Sequence, residues 1–303
     1  MYDIIIAGGG PAGLTAAVYA LRAGKTVLVV EKNSFGGQIA FSPKVENIPG
    51  FVQISGAEFA DQLVEQAMNL GADMELEKVI SIEKNGDTFT VATEEGSSFA
   101  GKSVILALGV KHRTLGLPGE EELIGNGISF CAVCDGAFYT GQNVAMIGGG
   151  NSALQEALLL SEVCNKVTVV QNLATFTGEK KLADALMDKP NVDVIFSTVV
   201  GGYITENGAL TGLKLRSEID GSETEIAVDG AFLAVGLKPE NENFASWANL
   251  NPWGYFDSAE DCCTATPGIY VAGDCRSKYI RQVVTAAADG AIAAMAACRY
   301  LEQ

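Results

Sequence analysis

A glycine-rich turn between a short apolar strand and a helix occurs twice in this chain and constrains its fold more than any other feature. In the first copy, Gly8 and Gly10 follow a predicted strand at 2–7, and Gly13 lies in the first turn of a predicted helix at 11–23. The first glycine permits a tight turn, the second lets the backbone approach a pyrophosphate, and the third lets the helix pack closely on the strand. The N-terminus of the helix then presents N–H groups and the positive end of its dipole to an anion.

An acidic residue follows the second strand of this unit, where a nucleotide-binding domain needs an acceptor for ribose hydroxyls. Glu31 comes directly after the predicted strand at 26–30. The same order of elements returns later, as a strand at 143–147, a glycine turn at 148–153, a helix at 154–163 and a strand at 166–170. Two copies of this unit predict an α/β chain with two Rossmann-like domains, each with its own ligand site.

Further segments read as strands and a final helix around these two units. The predicted strands lie at 88–91, 103–107, 210–216, 231–236 and 269–274, and the predicted helix lies at 282–301. Most of the strands are short apolar runs, as expected for strands buried on both faces of a sheet. The last helix is rich in Ala, so we expect it to pack closely against a sheet.

The composition excludes several classes of partner. The 303 residues carry 20 Lys and Arg against 37 Asp and Glu, which gives a formal charge of −17. Neither nucleic acid nor an anionic membrane is expected as a partner, because both need a basic surface. No apolar run reaches the ~18 residues of a membrane span, and the N-terminal segment lacks the basic region of a signal peptide. The sequence predicts a cytoplasmic protein, and its single histidine, His112, predicts no histidine-rich metal site.

The number of cysteines also favours a reducing compartment. Seven cysteines are too few, and odd in number, for a secreted domain held together by disulfides. Cys164, Cys275 and Cys298 are predicted to be small core residues. Cys262 and Cys263 precede the predicted strand at 269–274 and are candidates for exposed thiols, to which we assign no role.

Cys131 and Cys134 form a Cys-x-x-Cys motif that Asp135 follows directly. Two thiols at this spacing can close a disulfide and reopen it, and the motif favours the nucleophilic thiolate. Asp135 can give a proton to the neighbouring thiolate or take one from its thiol. Zinc binding is an alternative, although zinc needs four ligands and the chain has no second Cys-x-x-Cys motif or histidine pair. Two buried thiols without a function are the other alternative.

With these motifs in order, the chain resembles the low-molecular-weight, prokaryotic-type thioredoxin reductases, which are homodimeric FAD flavoproteins. The resemblance extends over nearly the whole chain. It rests on the segments GGGPAG (8–13), GGQ (36–38), ENIPGF (46–51), CAVCDG (131–136), GGGNSA (148–153), PGIYVAGD (267–274) and RQVVTAAADG (281–290).

The resemblance implies how the two domains divide the chain. The second Rossmann-like (three-layer ββα) nucleotide-binding domain is expected to be inserted in the first. An FAD-binding domain would comprise 1–112 and 243–303, and a pyridine-nucleotide-binding-like domain with the Cys-x-x-Cys motif would comprise 113–242. In this family the second domain rotates between a flavin-facing and a partner-facing position, so hinges are expected near 111–116 and 238–244.

The resemblance also implies the roles of individual residues. Cys131, Cys134 and Asp135 are expected to be catalytic, with electrons passing from the flavin to the disulfide and on to a thioredoxin or thioredoxin-like protein. Glu31 is expected to bind the adenosine ribose, and Asp274 the ribityl–pyrophosphate region. The residues expected to bind FAD are Gly8, Gly10, Pro11, Ala12, Gly13, Glu31, Lys32, Gly36, Gly37, Gln38, Asn47, Gly273, Asp274, Arg281, Gln282 and Val283.

The second glycine turn departs from the family where NADPH would be held. Members that use NADPH carry His-Arg-Arg and a further Arg after the strand at 167–170, and these residues bind the 2′-phosphate. This chain has QNLATFT at 171–177, and no Arg lies between Arg113 and Arg216. A phosphate without a guanidinium loses charge-assisted hydrogen bonds that contribute about 1.5–3 kcal/mol each. NADPH is therefore not expected to be the donor.

The other polar side chains after this strand do not replace the missing arginines of an NADPH site. Lys180 and Lys181 lack the forked geometry of a guanidinium, and Gln171 stands where an NADH site places an acid. The chain resembles the NADPH-independent branch of the family, in which ferredoxin reduces the flavin. Ferredoxins are acidic, as this chain is, so ferredoxin would need a local basic patch. Candidate residues for this patch are Lys111, Arg113, Lys278 and Arg281.

Three other functions stay open on the sequence alone. The chain could be an NADPH- or NADH-dependent thioredoxin reductase that uses the second turn after all. It could take electrons from a deazaflavin. It could also be a flavin-bound redox sensor without steady turnover, in which Cys131 and Cys134 never reduce a thioredoxin.

Overall fold

A computed structural model describes residues 1–42 and 45–303, which divide into two compact units. The first unit comprises Met1–Ser42, Ile48–Lys111 and Lys238–Gln303, and the second comprises His112–Leu237 with the short segment 45–47. Strands and helices are numbered here along the chain. The chain passes between the units at two short strands that pair with each other, β7 (Lys111–His112) and β16 (Leu237–Lys238).

The first unit is built on a parallel sheet that continues into an antiparallel meander. Its strands are β1 (Tyr2–Ala7), β2 (Val27–Glu31), β3 (Asp73–Leu76), β4 (Val79–Asn85), β5 (Thr88–Thr93), β6 (Ser98–Leu106) and β17 (Ile269–Val271). Its helices are α1 (Pro11–Arg22), α2 (Gly56–Asn69) and α7 (Val283–Tyr300). The strand order is β3-β2-β1-β6-β5-β4, and the C-terminal half of β6 also pairs in parallel with β17.

Successive side chains along β1 and its neighbours point to opposite faces of the sheet and fill two separate hydrophobic cores. Ile4 and Ile6 of β1 lie in one cluster with residues of α1 and α7, whereas Ile5 and Ala7 lie in the other with Phe89 of the meander. This alternation follows from the period of two in a strand. The continuous apolar runs of the sequence therefore correspond to strands with both faces covered.

The second unit repeats this plan with a separate antiparallel sheet. The parallel strands are β8 (Ile128–Ser129), β9 (Asn143–Ile147), β10 (Lys166–Val170), β11 (Val192–Ile195) and β15 (Gly230–Leu233), in the order β11-β10-β9-β15-β8. The antiparallel strands are β12 (Thr198–Glu206), β13 (Ala209–Ser217) and β14 (Glu223–Ala227). The helices are α3 (Glu120–Leu123), α4 (Ala132–Asp135), α5 (Asn151–Val163) and α6 (Lys180–Met187). One face of the parallel sheet packs on α5, and the other packs on β13.

The predicted fold class is confirmed: an α/β chain with two Rossmann-like three-layer ββα domains, the second inserted in the first. Several element boundaries differ from the prediction: β6 begins at Ser98 rather than at 103, and β15 ends at Leu233 rather than at 236. The strand predicted at 269–274 ends at Val271, because the backbone turns at Gly273 with a φ of 78° and enters a short 3-10 helix. Helix α5 begins at Asn151 rather than at 154, because Gly150 caps it and accepts a hydrogen bond from Leu154 N. None of the described helices is both long enough and apolar enough to cross a bilayer.

Candidate functional site

The first glycine turn is shaped by contacts that only glycine allows. Gly8 has a φ of 110°, and a Cβ on it would overlap the carbonyl oxygen of Ala107. A Cβ on Gly13 would overlap the carbonyl oxygen of Gly8, so this glycine brings α1 against the turn. Gly10 differs, because the nearest atom to a Cβ there would be Gly37 Cα at 3.8 Å. The middle glycine therefore leaves open space beside the uncapped N-terminus of α1, as a bound pyrophosphate requires.

Glu31 lies over this turn at the end of β2. Its side chain is 8% exposed, and Oε2 accepts a hydrogen bond of 2.7 Å from Gly9 N. Oε1 accepts a second bond of 2.9 Å from Asn33 N. These bonds fix the carboxylate while each oxygen keeps a further lone pair, so Glu31 can also accept from ribose hydroxyls. The next residue, Lys32, forms an ion pair of 2.6 Å with Glu240.

Asp274 contributes a second carboxyl to the same unit, directly after the turn at Gly273. Gly273 packs on α1, since a Cβ there would lie 2.8 Å from Ala12 Cβ. Asp274 Oδ1 is buried and has no hydrogen-bond partner among the described residues. Burial raises the pKa of Asp274 to about 6. A buried acceptor without a partner costs stability in the bare protein and fits a ligand hydroxyl, such as those of a ribityl chain.

Most of the other residues expected near the flavin lie at the start of a 3-10 helix (Gly37–Phe41), which Gly36 caps, and at the start of α7. Gly36 N donates to Gly9 O at 2.8 Å, and Gln38 Nε2 donates to Val110 O. Gln282 caps α7, which begins at Val283. Arg281 donates from Nε to Asp274 O at 3.3 Å, and its guanidinium carbon lies 4.2 Å from the centre of the Tyr255 ring.

The first unit thus gathers most of the predicted cofactor residues around one turn. The open space at Gly10, the carboxylate of Glu31 and the unpaired oxygen of Asp274 together fit FAD. Asn47 lies in the segment 45–47, which belongs to the second unit, so its contact with the flavin stays a prediction.

The Cys-x-x-Cys motif forms a disulfide at the start of α4. Cys131 and Cys134 are bonded to each other with their Cα atoms 5.3 Å apart. Cys131 caps the helix, and its Sγ accepts a hydrogen bond of 3.2 Å from Cys134 N. Both cysteines are partly exposed, and Val133 between them is 54% exposed. The pair is therefore a disulfide that a reagent can reach, rather than two zinc-bound or buried thiols.

Asp135 is held beside this disulfide by a serine. Ser129 Oγ donates to Asp135 Oδ2 at 2.6 Å and accepts from Cys131 N at 3.1 Å. The other oxygen of Asp135 is buried and has no partner among the described residues. Burial raises the pKa of Asp135. The carboxyl can therefore hold a proton next to the cysteines, as its predicted role requires.

Sequence reasoning missed a second carboxyl at the disulfide. Glu156 of α5 accepts a hydrogen bond of 3.1 Å from Ala132 N through Oε2. Burial raises the pKa of Glu156 to about 7. Its position on the helix could have revealed it, since it is spaced three and four residues from the buried Ala153 and Leu160.

The second glycine turn keeps the backbone of the first but not its acid. Gly148 has a φ of 130°, and the side chain of Gln171 lies against Gly149. Gln171 is 3% exposed, and its Nε2 donates to Thr175 O at 3.2 Å. The loop 172–179 follows this residue, and Thr177 N donates to Gly149 O at 2.9 Å. The amide of Gln171 therefore takes the place that a carboxylate occupies in the first turn.

Two other predictions about side chains outside the turns need correction. Cys262 is fully buried, with its Sγ 3.6 Å from Asp289 O, so it is not an exposed thiol. Lys278 is 9% exposed and forms an ion pair of 2.8 Å with Asp289, so it cannot belong to an exposed basic patch. In both cases the side chain is buried against Asp289 of α7.

The predicted burial of three other cysteines is confirmed, and the structure shows the surroundings of His112. Cys164, Cys275 and Cys298 are buried, as predicted. His112 stacks on Phe130 with the ring centres 4.6 Å apart, and burial lowers its pKa to about 4. His112 is therefore neutral near pH 7 and only partly exposed.

Comparison with known proteins gives consistent matches along the chain. The sequence profile of the pyridine nucleotide-disulphide oxidoreductase family matches residues 2–290. Thioredoxin reductase of Listeria innocua is 39% identical over 306 aligned residues, which cover 100% of this chain and 95% of that protein. Thioredoxin reductase of Bacillus subtilis is 37% identical, with 100% and 96% covered.

A solved structure agrees with these sequence matches. The crystal structure of thioredoxin reductase from Streptococcus pyogenes superimposes with a TM-score of 0.91 at 37% sequence identity. The match covers 100% of this chain and 98% of that chain.

Proposed function

The chain belongs to the pyridine nucleotide-disulphide oxidoreductases and, among them, to the low-molecular-weight thioredoxin reductases, and from this membership we propose which electrons it uses and where they go. It reduces the disulfide of a thioredoxin or thioredoxin-like protein, through FAD and then through Cys131 and Cys134. The observation that carries this function is the accessible disulfide beside the buried carboxyl of Asp135. Ferredoxin, rather than NADPH, supplies the electrons.

The first unit holds the cofactor. FAD supplies a group that accepts electrons one at a time and passes on two. The turn at Gly8–Gly13 would receive the pyrophosphate at the start of α1, and Glu31 would accept from the adenosine ribose. Asp274 would accept from a hydroxyl of the ribityl chain, which would satisfy its buried oxygen. Arg281, Gln282 and Val283 would contact the isoalloxazine ring.

The second unit transfers the electrons to the protein substrate. Two electrons open the bond between Cys131 and Cys134 and leave two sulfur atoms that take up protons. One thiolate then attacks the disulfide of the thioredoxin and forms a mixed disulfide, which the other thiolate resolves. The products are a reduced thioredoxin and the restored disulfide. Asp135 holds the proton that moves to and from the neighbouring cysteine.

The choice of ferredoxin rests on the side chains around the second turn. No arginine lies between β10 and Arg216, so the 2′-phosphate of NADPH would lack a guanidinium partner in the loop after this strand. Lys180, the nearest lysine after the loop, is 86% exposed and is paired with Asp184 at 2.7 Å. The buried amide of Gln171 fits neither the phosphate of NADPH nor the hydroxyl pair of NADH as well as a charged group does.

The redox energetics allow this donor. A plant-type ferredoxin has a potential near −400 mV, and thioredoxin has one near −270 mV. The difference of roughly 130 mV corresponds to about 6 kcal/mol for two electrons. The net charge of −17 opposes an acidic donor, so binding would depend on exposed basic residues such as Arg113 and should weaken as salt rises.

A donor screen tests the proposal. The oxidised flavoprotein is mixed anaerobically with reduced ferredoxin, NADPH or NADH while flavin absorbance is followed. We expect rapid bleaching by ferredoxin and slow or no bleaching by either nucleotide. Rapid bleaching by micromolar NADPH would overturn the choice of donor and leave a nucleotide-dependent thioredoxin reductase.

The thiol half of the reaction needs its own assay. With ferredoxin as donor and thioredoxin as substrate, insulin reduction should be lost in Cys131→Ser and Cys134→Ser. Cys263→Ser is the matched control, because Cys263 is the other partly exposed cysteine among the described residues, and it should retain activity. Bleaching of the flavin without any insulin reduction in the unaltered protein would instead favour the redox sensor.

The assembly belongs to the same proposal. The first unit is the FAD-binding domain, and the second carries the disulfide and moves about hinges near 111–116 and 238–244. The active species is a homodimer. Light scattering on the purified protein would test this, and a mass of one chain, 31.6 kDa, would contradict it.

A further inference from the structure

Glu156 lies on the face of α5 that packs against the disulfide helix. Ala153, Ala157 and Leu160 share a buried cluster with Ala132 of α4. Ala153 is three positions and Leu160 four positions from Glu156, so these two lie on the same side of α5 as the carboxyl. The side chains that α5 contributes to this buried cluster are all apolar. A carboxyl in such a place loses hydration and needs a specific reason to be retained.

The partner of this carboxyl is the peptide group that joins Cys131 to Ala132. Glu156 Oε2 accepts from Ala132 N at 3.1 Å. On the other side of the same cysteine, Cys131 N donates to Ser129 Oγ, which in turn donates to Asp135. Each of the two peptide N–H groups that flank the Cα of Cys131 is therefore linked to a carboxyl. The N–H of Cys131 is linked through Ser129 to Asp135, and the N–H of Ala132 is bonded directly to Glu156. Both carboxyls have a pKa raised by burial, that of Glu156 to about 7.

No cation among the described residues balances Glu156 in its surroundings. The charged side chains on the elements packed against α5 mostly pair with one another at the surface, as Lys180 with Asp184, Lys189 with Glu162 and Lys166 with Asp193. The other ionisable groups on these elements are Asp135, Tyr139, Cys164 and the exposed Lys181. Glu156 is thus influenced mainly by burial and by its bond to Ala132.

We propose that Glu156 is a positioning residue of the redox disulfide, which holds the Cys131–Ala132 peptide and controls how readily the thiols of the reduced pair ionise. This inference rests on the disulfide exchange proposed above. An ionised Glu156 opposes a second negative charge on the nearby sulfur, and a protonated Glu156 does not. The reduced pair therefore forms its thiolate less readily than a Cys-x-x-Cys motif without this carboxyl would.

Alkylation of the reduced pair tests this control directly. The full-length flavoprotein is reduced with dithiothreitol, freed of it, and treated with iodoacetamide between about pH 6 and about pH 9, a range that spans ordinary thiol ionisation. Mass spectrometry of the peptides then gives separate rates for Cys131 and Cys134. Glu156→Gln keeps an acceptor oxygen for Ala132 N but cannot ionise. Glu162→Gln is the matched control, since Glu162 is an exposed residue of the same helix.

In Glu156→Gln we expect the midpoint of the rate profile to fall by about one pH unit, with about tenfold faster alkylation near neutral pH. Glu162→Gln should match the unaltered protein, and Glu156→Asp, which keeps the charge, should lie much closer to it than Glu156→Gln does. An unchanged midpoint in Glu156→Gln would overturn the proposal, even if the variant were less stable. The assay uses no electron donor and no thioredoxin, so it can be read even if the proposed function fails.

Discussion

The two parallel sheets place different chemistry at the same position. In the first unit β17 pairs with β6, the neighbour of the glycine-turn strand β1. In the second unit β8 pairs with β15, the neighbour of the glycine-turn strand β9. The carboxyl Asp274 follows β17, whereas the disulfide and Asp135 follow β8. One sheet position therefore presents a buried carboxyl in the first unit and a disulfide in the second.

The two glycine turns show the opposite relation, with one architecture and unequal binding groups. The first turn has the carboxylate of Glu31 bonded to Gly9 N, and the second has the amide of Gln171 packed on Gly149. The glycine needed for a sharp turn is kept in both, because Gly8 and Gly148 each have a positive φ and pack against a neighbouring strand. The fold thus requires the glycine turn in both units, whereas the side chain that lies against the turn differs between them.

The largest difference between the turns should be seen at their middle glycines. Gly10→Ala and Gly150→Ala are matched changes, because each new Cβ would have 3.8 Å of space to its nearest neighbour. In Gly10→Ala the methyl group occupies the path of the pyrophosphate, and we expect FAD affinity to fall by about a hundredfold, or roughly 2.7 kcal/mol. In Gly150→Ala we expect FAD content and ferredoxin-driven insulin reduction to stay unchanged.

Titration of the two apoproteins with FAD, followed by tryptophan fluorescence, measures this difference. Circular dichroism of both variants checks that the fold is retained. Equal FAD affinities in the two variants would show that the first turn does not receive the pyrophosphate. Loss of ferredoxin-driven activity in Gly150→Ala would show that the second turn has a role after all.

A smaller effect is expected when arginines are restored to the second turn. Asn172, Leu173 and Thr177 are exposed, so Asn172→Arg, Leu173→Arg and Thr177→Arg should not disturb the core. Each guanidinium that reaches the 2′-phosphate contributes about 1.5–3 kcal/mol. The triple variant should therefore bleach its flavin with NADPH at least about tenfold faster at low nucleotide concentration, with no such gain for NADH. Stopped-flow absorbance measures this, and a triple lysine variant controls for charge alone.

The glycine spacing was enough to predict the two units, because local sequence determines a tight turn between strand and helix. The Cys-x-x-Cys spacing likewise predicted a disulfide, although zinc and buried thiols stayed open until the bond was seen. The strand at 269–274 was predicted too long, since nothing in an apolar run shows where the backbone will turn at Gly273. Local patterns therefore gave the elements and left their ends uncertain.

Contacts between distant parts of the chain explain what the sequence did not reveal. Lys278 was predicted to be exposed, but Asp289 of α7 accepts from it and from Arg276 in a buried ion pair. Glu156 lies 25 residues from Cys131 in sequence, and only the packing of α5 on α4 brings its carboxyl to the peptide of that cysteine. Ionic partners of this kind depend on tertiary packing, which a single sequence does not display.

The smallest predicted effect concerns Asp274, which the first sheet places where the second places its disulfide. Burial raises its pKa to about 6 in the bare protein. The stability that goes with a raised pKa is present below about pH 4, the ordinary range of an aspartate, and is lost as pH rises through about 6. A hydroxyl of FAD that donates to the carboxylate should favour the ionised form, so FAD affinity should rise over the same pH range.

Asp274→Asn should therefore have two effects of opposite sign. At neutral pH the apoprotein should become more stable by about 2 kcal/mol in urea unfolding, and this gain should vanish near pH 4. FAD should bind about fivefold more weakly, because a neutral acceptor forms a weaker hydrogen bond than a charged one. The exposed Asp257→Asn is the control and should change neither quantity. A less stable apoprotein, or an FAD affinity equal to that of the unaltered chain, would show that Asp274 serves the fold rather than the cofactor.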